Sequence, residues 1–304
     1  MAQRSASAAA TERKGALVWL DMDQRALDNA YDQEVYAPNR AQVVERRLAN
    51  SERTRSILGA PERVSYGPSE IEKLDIFRTA RPNAPINIFI HGGAWRRNKA
   101  ADYAVLAELF VRAGAHSVVL DFINVEEAEG SLFPVAEQVR RAIGWVYRNG
   151  SRFGGDPNRL YLSAHSSGSQ LGGCMVTTEW RAHDLPADLI KGALLLSGMY
   201  DLKPVRLSKR SLYVKFTDEM EQALSAQRHI DKLNTPLVLG YGTYETPEFQ
   251  RQTRDFFAAV QAAGKPAQLI VGQGYNHFEF LETLASPYGL AGRAVLQQMG
   301  LTSA

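Results

Sequence analysis

Short apolar runs alternate with amphipathic stretches from Pro85 to the end of the chain. Runs of strand length lie at 86–90, 117–121, 160–164, 192–196, 236–240 and 267–271. Helix-forming stretches lie at 103–112, 135–148, 166–180 and 247–263, and an amphipathic helix closes the chain at about Met299. Strands that alternate with helices of this length predict parallel pairing in a layered α/β fold.

Two segments depart from this alternation. Residues 27–58 are helix-forming and end at Gly59 and Pro61, which predicts a helical arm before the sheet. The segments 63–66 and 73–77 alternate apolar and polar positions around a Gly67-Pro68 turn, as an antiparallel pair does. Residues 203–233 are charged and helix-prone between two predicted strands. We interpret them as a cap over the strand ends.

The domain organisation follows from these segments and from composition. The sequence has 304 residues, of which 45% are hydrophobic and 22% charged, as in an ordinary globular protein with a substantial core. We expect a disordered tail over 1–20 and one α/β domain over 21–304. The arm is placed at 21–60 and the cap at about 203–233.

Charge and cysteine content indicate the kind of partner and the cellular compartment. The 35 basic and 33 acidic residues give a net charge of +2, too small and dispersed for a nucleic-acid footprint, so a small-molecule partner is expected. The single cysteine, Cys174, cannot form an internal disulfide, which favours the cytoplasm. No apolar run reaches the length of a membrane span. Composition leaves the oligomeric state open.

The strongest chemical signal is the segment Ala164-His165-Ser166-Ser167-Gly168. It lies between a predicted strand and a predicted helix, where a nucleophile elbow belongs. The elbow needs small residues two positions before and two after its serine, and Ala164 and Gly168 meet that need. A serine at such a junction is also a favoured helix N-cap. Ser163 and His165 are expected to point away from the site.

A second signal favours the nucleophile interpretation. His91-Gly92-Gly93-Ala94-Trp95 follows the strand that ends at Ile90, the position of an oxyanion loop. Glycines let backbone amides turn toward a developing negative charge. Gly92, Gly93, Ala94 and Ser167 are therefore predicted oxyanion-hole residues.

The base and the acid follow from chain order, which in this fold is serine, acid, histidine. Of the three histidines after Ser166, only His277 follows the loop that leaves the last predicted strand. It is the predicted general base. Glu245 is the favoured acid, with Asp201 and Glu248 as alternatives. No histidine or carboxylate spacing indicates a metal, and no cofactor is expected.

These motifs resemble a known family. HGGAW, AHSSG, SGMYDL, TYETPEFQRQ and GYNHFE are similar to the kynurenine formamidase (arylformamidase) branch of the hormone-sensitive-lipase-like hydrolases. The resemblance spans about residues 27–300, including Leu27, Tyr31 and Tyr36. It implies an α/β-hydrolase fold with a mostly parallel central sheet. Ser166, Glu245 and His277 fall on the triad positions, although Asp is more usual than Glu at the second.

The resemblance leaves the substrate open, because formamidases, amidases and carboxylesterases share these motifs. The favoured function is a serine hydrolase that cleaves a small, aromatic N-formyl or N-acyl amide. The alternative is a carboxylesterase for short-chain or aromatic esters. In either case Trp95, Tyr200 and Tyr213 are expected to line an apolar substrate pocket.

Overall fold

The fold is built around a central sheet of eight strands. The computed structural model describes residues 15–301. Within them the strands are β1 (Leu17–Trp19), β2 (Met22–Asp23), β3 (Glu62–Ser65), β4 (Lys73–Phe77), β5 (Ala84–Ile90), β6 (His116–Leu120), β7 (Gly155–His165), β8 (Ile190–Leu196), β9 (Leu237–Gly242) and β10 (Ala267–Gly272). Strands β1 and β2 form a separate ribbon, and the others lie in the order β10-β9-β8-β7-β5-β6-β4-β3.

Helices connect most of these strands. The α-helices are α1 (Gln24–Ala30), α2 (Gln33–Tyr36), α3 (Arg40–Leu58), α4 (Ala107–Arg112), α5 (Leu132–Asn149), α6 (Ser167–Val176), α7 (Leu202–Leu207), α8 (Asp218–Ala223), α9 (Pro247–Ala262), α10 (His277–Glu282) and α11 (Leu290–Gln298). Turns of 3-10 helix lie at Ala100–Leu106, Gly150–Phe153, Trp180–His183, Lys209–Leu212, Ala226–Arg228, Ile230–Lys232 and Thr283–Ala285.

Strand pairing confirms the predicted fold class. Six neighbouring strands pair in parallel, and across the sheet they lie in the order β6, β5, β7, β8, β9 and β10. The predicted opening pair β3 and β4 is antiparallel, and β4 also pairs antiparallel with β6. Parallel neighbours bring the carboxyl ends of β5 and β7 to β10 to one edge of the sheet, where sites form in this class of fold.

Both faces of the sheet are buried. On β8, Ala193 and Leu195 pack in one apolar cluster, whereas Leu194 and Leu196 pack in the other. Successive side chains of a strand point to opposite faces, so a strand covered on both sides is apolar throughout. Helix α5 covers one face with a stripe of buried residues at three- and four-residue spacing, among them Val135, Val139 and Ile143.

The segments predicted as arm and cap are both helical, and they contact each other. The arm contains α1 to α3, and the cap contains α7, α8 and three turns of 3-10 helix. The Lys209 amide of the cap donates to Asp28 Oδ1 of the arm at 2.6 Å. The Lys209 ammonium also pairs with Asp32. The division of the chain into a domain with an arm and a cap stays a prediction.

Two boundaries differ from expectation. The tail predicted over 1–20 falls partly outside the described residues, but 15–20 include strand β1, which pairs with β2. The elbow helix was expected to reach 180 and ends at Val176, where the Thr177 hydroxyl donates to the Gly173 carbonyl. The predicted closing helix is α11, which ends at Gln298 next to Met299, and Pro287 lies in the break between α10 and α11.

No helix within residues 15–301 is both long enough and apolar enough to cross a membrane.

Candidate active site

The residues of the candidate site converge at the carboxyl ends of five strands. His91 follows β5, Ser166 follows β7 and Ser197 follows β8. Glu245 lies after β9 and His277 after β10. Since these strands are parallel, residues far apart in the sequence meet at one edge of the sheet.

Ser166 lies in a sharp turn between β7 and α6. Its backbone has φ 60° and ψ −127°, a conformation that a residue with a side chain rarely adopts. The turn needs close packing. A Cβ at Gly168 would overlap the Ile90 carbonyl and lie 2.6 Å from the His91 carbonyl oxygen, and one at Gly92 would lie 2.8 Å from Ser166 Cβ. Glycines at these positions therefore allow α6 and the β5 loop to approach the serine.

A chain of hydrogen bonds joins the three residues predicted as the triad. Ser166 Oγ lies 2.8 Å from His277 Nε2, and His277 Nδ1 lies 2.7 Å from Glu245 Oε2. An ionised carboxylate only accepts hydrogen bonds, so Nδ1 carries the proton and Nε2 is left to accept the serine hydroxyl proton. This is the arrangement in which the imidazole can act on the serine.

The Glu245 carboxyl is held from three sides. Its Oε1 accepts hydrogen bonds from Ser197 Oγ and from the Gly242 amide, both at 2.6 Å. Ser197 was not singled out in the sequence. It is fully buried at the end of β8 with φ 55°, and its position directly after a predicted strand is the signal that would have pointed to it. Together these donors orient the second oxygen toward His277.

Burial governs the charge states of this pair. It disfavours ionised forms, so it lowers the pKa of His277 to about 3. The positive charge of Arg210 lowers this pKa further. Burial also raises the pKa of Glu245, whereas the hydrogen bonds from the Gly242 amide and from Ser197 lower it and so favour the ionised carboxylate. The imidazole is therefore neutral at neutral pH, the form that a general base requires.

The two alternative acids have other partners. Asp201 caps α7 through the Lys203 amide and lies 3.1 Å from an Arg228 nitrogen. Glu248 accepts two hydrogen bonds from the Arg251 guanidinium and a third from the Tyr31 hydroxyl. Among the three candidates, the hydrogen bond to His277 is made by Glu245.

The loop after β5 has an unusual backbone conformation. Gly93, Ala94 and Trp95 all have positive φ, at 115°, 57° and 59°. The Trp95 amide is occupied, since it donates to Ser167 Oγ at 3.2 Å. Within residues 15–301, the amides of Gly93, Ala94 and Ser167 donate to no protein acceptor. Free amides at this place are available to an anionic oxygen.

His165 departs from expectation. It was predicted to point away from the site, but it lines the same cavity as Ser166 and its ring lies 4.5 Å from the ring of His277. Its Nε2 donates to the His277 carbonyl at 2.9 Å, which ties the last loop to the elbow. Ser163 does point away, and its Oγ donates to Asn87.

A cavity of about 330 Å³ opens beside Ser166 and His277. Its walls include Tyr31 and Arg47 of the arm, Phe278 after the last strand, and Arg210 and Tyr213 of the cap. Tyr213 therefore lies where the sequence predicted it. The walls carry many charged groups, so the expectation of an apolar pocket is wrong.

The other two predicted pocket residues do not line this cavity. Trp95 is buried, and its indole N–H donates to Gln170 at 3.0 Å. Tyr200 is also buried, with its ring stacked 4.3 Å from the ring of Phe256. Both aromatics pack inside the protein, so their prediction as substrate contacts is wrong.

Comparison with known proteins finds relatives in sequence and in fold. The family described as BD-FAE matches residues 74–193. A putative thioesterase from Silicibacter sp. TM1040 superposes with a TM-score of 0.77 at 21% identity, covering 91% of this chain and 99% of the other. The chain has the α/β-hydrolase fold and is a serine hydrolase.

Within this class the sequence is similar to the kynurenine formamidase of Danio rerio, at 28% identity over 93% of this chain and 98% of the relative. This confirms the resemblance predicted from the motifs. The isoprenylcysteine alpha-carbonyl methylesterase ICME of Arabidopsis thaliana is 25% identical over 70% of this chain and 55% of its own length. The relatives thus include both an amide hydrolase and an ester hydrolase.

Proposed function

We propose that this enzyme hydrolyses a small N-formyl or N-acyl arylamide through an acyl-enzyme on Ser166. The observation that carries the proposal is the hydrogen-bond chain from Glu245 through His277 to Ser166 at the wall of a cavity. The similarity to a kynurenine formamidase over nearly the whole chain favours a formamide as the bond that is cleaved.

The first half of the reaction forms the acyl-enzyme. Ser166 Oγ attacks the carbonyl carbon while His277 Nε2 takes the hydroxyl proton. The carbonyl oxygen becomes an anion, and the amides of Gly93, Ala94 and Ser167 are the donors available to it. When the C–N bond breaks, the proton on Nε2 passes to the leaving nitrogen and the arylamine departs.

The second half releases the acid. His277 Nε2 removes a proton from water while the water oxygen attacks the acyl carbon. The bond from this carbon to Ser166 Oγ then breaks, and the proton on Nε2 passes to Oγ. Glu245 keeps the Nδ1 proton in place and stabilises the imidazolium that forms in both halves. With a formyl group, the products are formate and the free arylamine.

The nucleophile is tested by Ser166→Ala. We expect kcat for N-formylkynurenine to fall about 10⁴-fold or more, because the attacking oxygen is lost while the fold is kept. Ser163→Ala is the matched control, since its Oγ bonds Asn87 away from the site. Turnover by Ser166→Ala within tenfold of the unmodified enzyme would reject the nucleophile.

The acid is tested by Glu245→Gln, which presents an N–H where His277 needs an acceptor. We expect kcat to fall about 10³- to 10⁴-fold, whereas Glu245→Asp keeps the carboxylate and part of the activity. Glu248→Gln changes a buried carboxylate that does not contact His277 and should alter kcat little. Equal kcat losses in Glu245→Gln and Glu248→Gln would contradict the assignment.

An ester substrate is the second candidate, favoured by the similarity to a methylesterase. The two functions are separated by kcat/KM of the purified protein for N-formylkynurenine and for p-nitrophenyl acetate. We expect efficient cleavage of the formamide. Efficient ester cleavage without formamide cleavage would instead establish the carboxylesterase.

A further inference from the structure

His165 lies at the cavity wall, and the proposed reaction gives it no role. It directly precedes the nucleophile and lines the cavity together with Ser166 and His277. Its ring centre lies 4.5 Å from that of His277. A Cβ at Gly92 would lie 2.8 Å from Ser166 Cβ and 3.5 Å from His165 Nδ1, so this nitrogen lies close to the nucleophile.

The hydrogen bond to the last loop fixes which ring nitrogen of His165 carries the proton. A carbonyl oxygen only accepts, so Nε2, which lies 2.9 Å from the His277 carbonyl oxygen, is the protonated nitrogen. Burial holds the pKa of His165 well below its ordinary value, so the ring is neutral at neutral pH. The second nitrogen of a neutral imidazole is an acceptor. Nδ1 therefore presents a lone pair.

This lone pair has no partner in the protein. Within residues 15–301, the His165 ring makes its hydrogen bond through Nε2 and leaves Nδ1 unpaired. Nδ1 also keeps contact with solvent, whereas the unpaired Nε2 of His91 and both unpaired amide atoms of Gln33 are sealed inside the protein. A molecule bound in the cavity can therefore reach Nδ1.

We propose that His165 Nδ1 accepts a hydrogen bond from the N–H of the scissile amide, which makes His165 a residue that selects amides over esters. The proposal rests on the proposed function. In solution water accepts this hydrogen bond, and a site that displaces the water without replacing the bond binds the amide less tightly. An ester carries an oxygen without hydrogen at the same place and gains nothing from the acceptor.

The contact fits the proton transfers of the reaction. As Ser166 Oγ attacks, the amide nitrogen becomes pyramidal, and its lone pair must face His277 Nε2 to receive the proton that accompanies C–N cleavage. The N–H of this nitrogen then points away from Nε2, toward a second acceptor. Nδ1 accepts the hydrogen bond without taking the proton, so His165 stays neutral. The arylamine leaves with two hydrogens on nitrogen, its own and the one from His277.

Two substrates that form the same formyl-enzyme isolate this contact. Formanilide and phenyl formate share the acyl group and the ring, but phenyl formate lacks the N–H. A change that affects the nucleophile, the oxyanion donors or the attacking water acts on both substrates. The measured quantity is kcat/KM for formanilide divided by kcat/KM for phenyl formate, with uncatalysed hydrolysis of the ester subtracted.

Two variants separate the acceptor from the bond to the last loop. Glutamine places its amide near the position of Nε2, so His165→Gln keeps a donor for the His277 carbonyl and loses the acceptor. Asparagine places its amide near Nδ1, so His165→Asn keeps an acceptor and loses the bond to the loop. We expect His165→Gln to lower the ratio about tenfold or more, with phenyl formate cleaved within about threefold of the unmodified enzyme. His165→Asn should slow both substrates together and keep the ratio within about threefold.

A surface histidine provides the control. His183→Gln makes the same replacement on an exposed side chain and should leave the ratio unchanged. An unchanged ratio in His165→Gln overturns the proposal. A ratio that falls equally in His165→Gln and His165→Asn also overturns it, because the effect would then not follow the acceptor.

The outcome for His165 is distinguishable from the outcome for the reaction. If the unmodified enzyme cleaves formanilide and His165→Gln leaves the ratio unchanged, the reaction stands and the role of His165 fails. If the unmodified enzyme cleaves phenyl formate but not formanilide, the proposed reaction fails, and binding to Ser166→Ala decides the role of His165. Rapid-mixing tryptophan fluorescence should then show formanilide binding about tenfold more tightly than phenyl formate, and His165→Gln should remove this difference. Equal binding of the two ligands to Ser166→Ala overturns the role of His165.

Discussion

Ser166 holds a backbone conformation that costs free energy, of the order of 1–3 kcal/mol for a residue with a side chain. Glycine adopts positive φ without this cost. We therefore expect Ser166→Gly to have a free energy of unfolding about 1 kcal/mol higher than that of Ser166→Ala, although both variants are inactive. Chemical denaturation of the two proteins measures the difference.

A serine three positions earlier gives the control for that comparison. Ser163 lies within strand β7. A glycine there has no positive φ to favour it, and it destabilises the protein by raising the conformational entropy of the unfolded chain. There the order should reverse, with Ser163→Gly about 0.5–1 kcal/mol less stable than Ser163→Ala. If Ser166→Gly were also less stable than Ser166→Ala, the elbow would store no strain.

The acid limb of the pH profile tests the charge near the base. Protonated His277 cannot accept the serine proton, so kcat/KM falls as the pH falls through its pKa. Arg210 lowers this pKa, so Arg210→Gln should raise it and move the acid limb to higher pH. The measurement uses neutral formanilide, with Arg112→Gln as the control. A limb that stays in place or moves to lower pH would contradict the assignment.

At this scale the sequence predicts the three residues of the hydrogen-bond chain better than it predicts the residues around them. Ser166, Glu245 and His277 could be located because chain order and strand ends restrict where each one lies. The cavity walls carry no such restriction. Arg47 and Arg210 are ordinary charged residues in helical segments, and nothing in their local pattern shows that the fold brings both to one cavity. Trp95 and Tyr200 seemed suited to a pocket, but large aromatics near a site serve equally well as packing.

At the scale of elements, the elbow depends on how closely α6 approaches β5. A Cβ at Gly168 would meet two backbone carbonyl groups, which cannot rotate away as a side chain can. We expect Gly168→Ala to lower the free energy of unfolding by about 1–3 kcal/mol, as overpacking does. It should also reduce kcat, because Ser166 moves with the helix.

Gly144→Ala is the matched control, since Gly144 lies in α5 and its nearest neighbours are side-chain atoms of Arg148 and Leu185 at 3.2 Å. Alanine also favours a helix over glycine by about 1 kcal/mol. This variant should therefore be close to the parent in stability. If urea denaturation gives the two variants equal stability, the close approach at the elbow is not what Gly168 provides.

The elements themselves were largely predictable, because strands buried on both faces appear as short apolar runs. Their ends were less so. Strand β7 starts at Gly155 rather than at 160, because its pairing with β5 begins there, with Gly155 opposite Ala84. The end of α6 depends on the hydroxyls of Thr177 and Thr178, which donate to carbonyls of the last turn. Such local bonds leave little trace in hydrophobic periodicity.

At the scale of the whole molecule, the arm and the cap close the cavity together. Asp28 Oδ1 of the arm accepts hydrogen bonds from the Lys209 amide and from Gln24. Asp28→Ala should raise KM about fivefold, roughly the worth of one hydrogen bond, and leave kcat within about twofold, because the triad lies on the sheet. Steady-state kinetics measures both constants.

Asp156→Ala removes a comparable turn carboxylate at the start of β7, away from the cavity, and should change neither constant. A fall in kcat without a change in KM for Asp28→Ala would show that the arm acts on the reacting groups rather than on the cavity walls.

The contacts between the arm and later parts of the chain also have a consequence for folding. Arg210 reaches the Tyr31 carbonyl across 179 positions of sequence, and Asn39 reaches Glu279 across 240. Contacts between residues this far apart close large loops of the chain. Closing such a loop costs conformational entropy, so we expect these contacts to form late in folding. The ribosome releases α1 to α3 long before the residues they bind exist. In refolding, the hydrolase should therefore regain its far-ultraviolet circular dichroism first and its catalytic activity only afterwards.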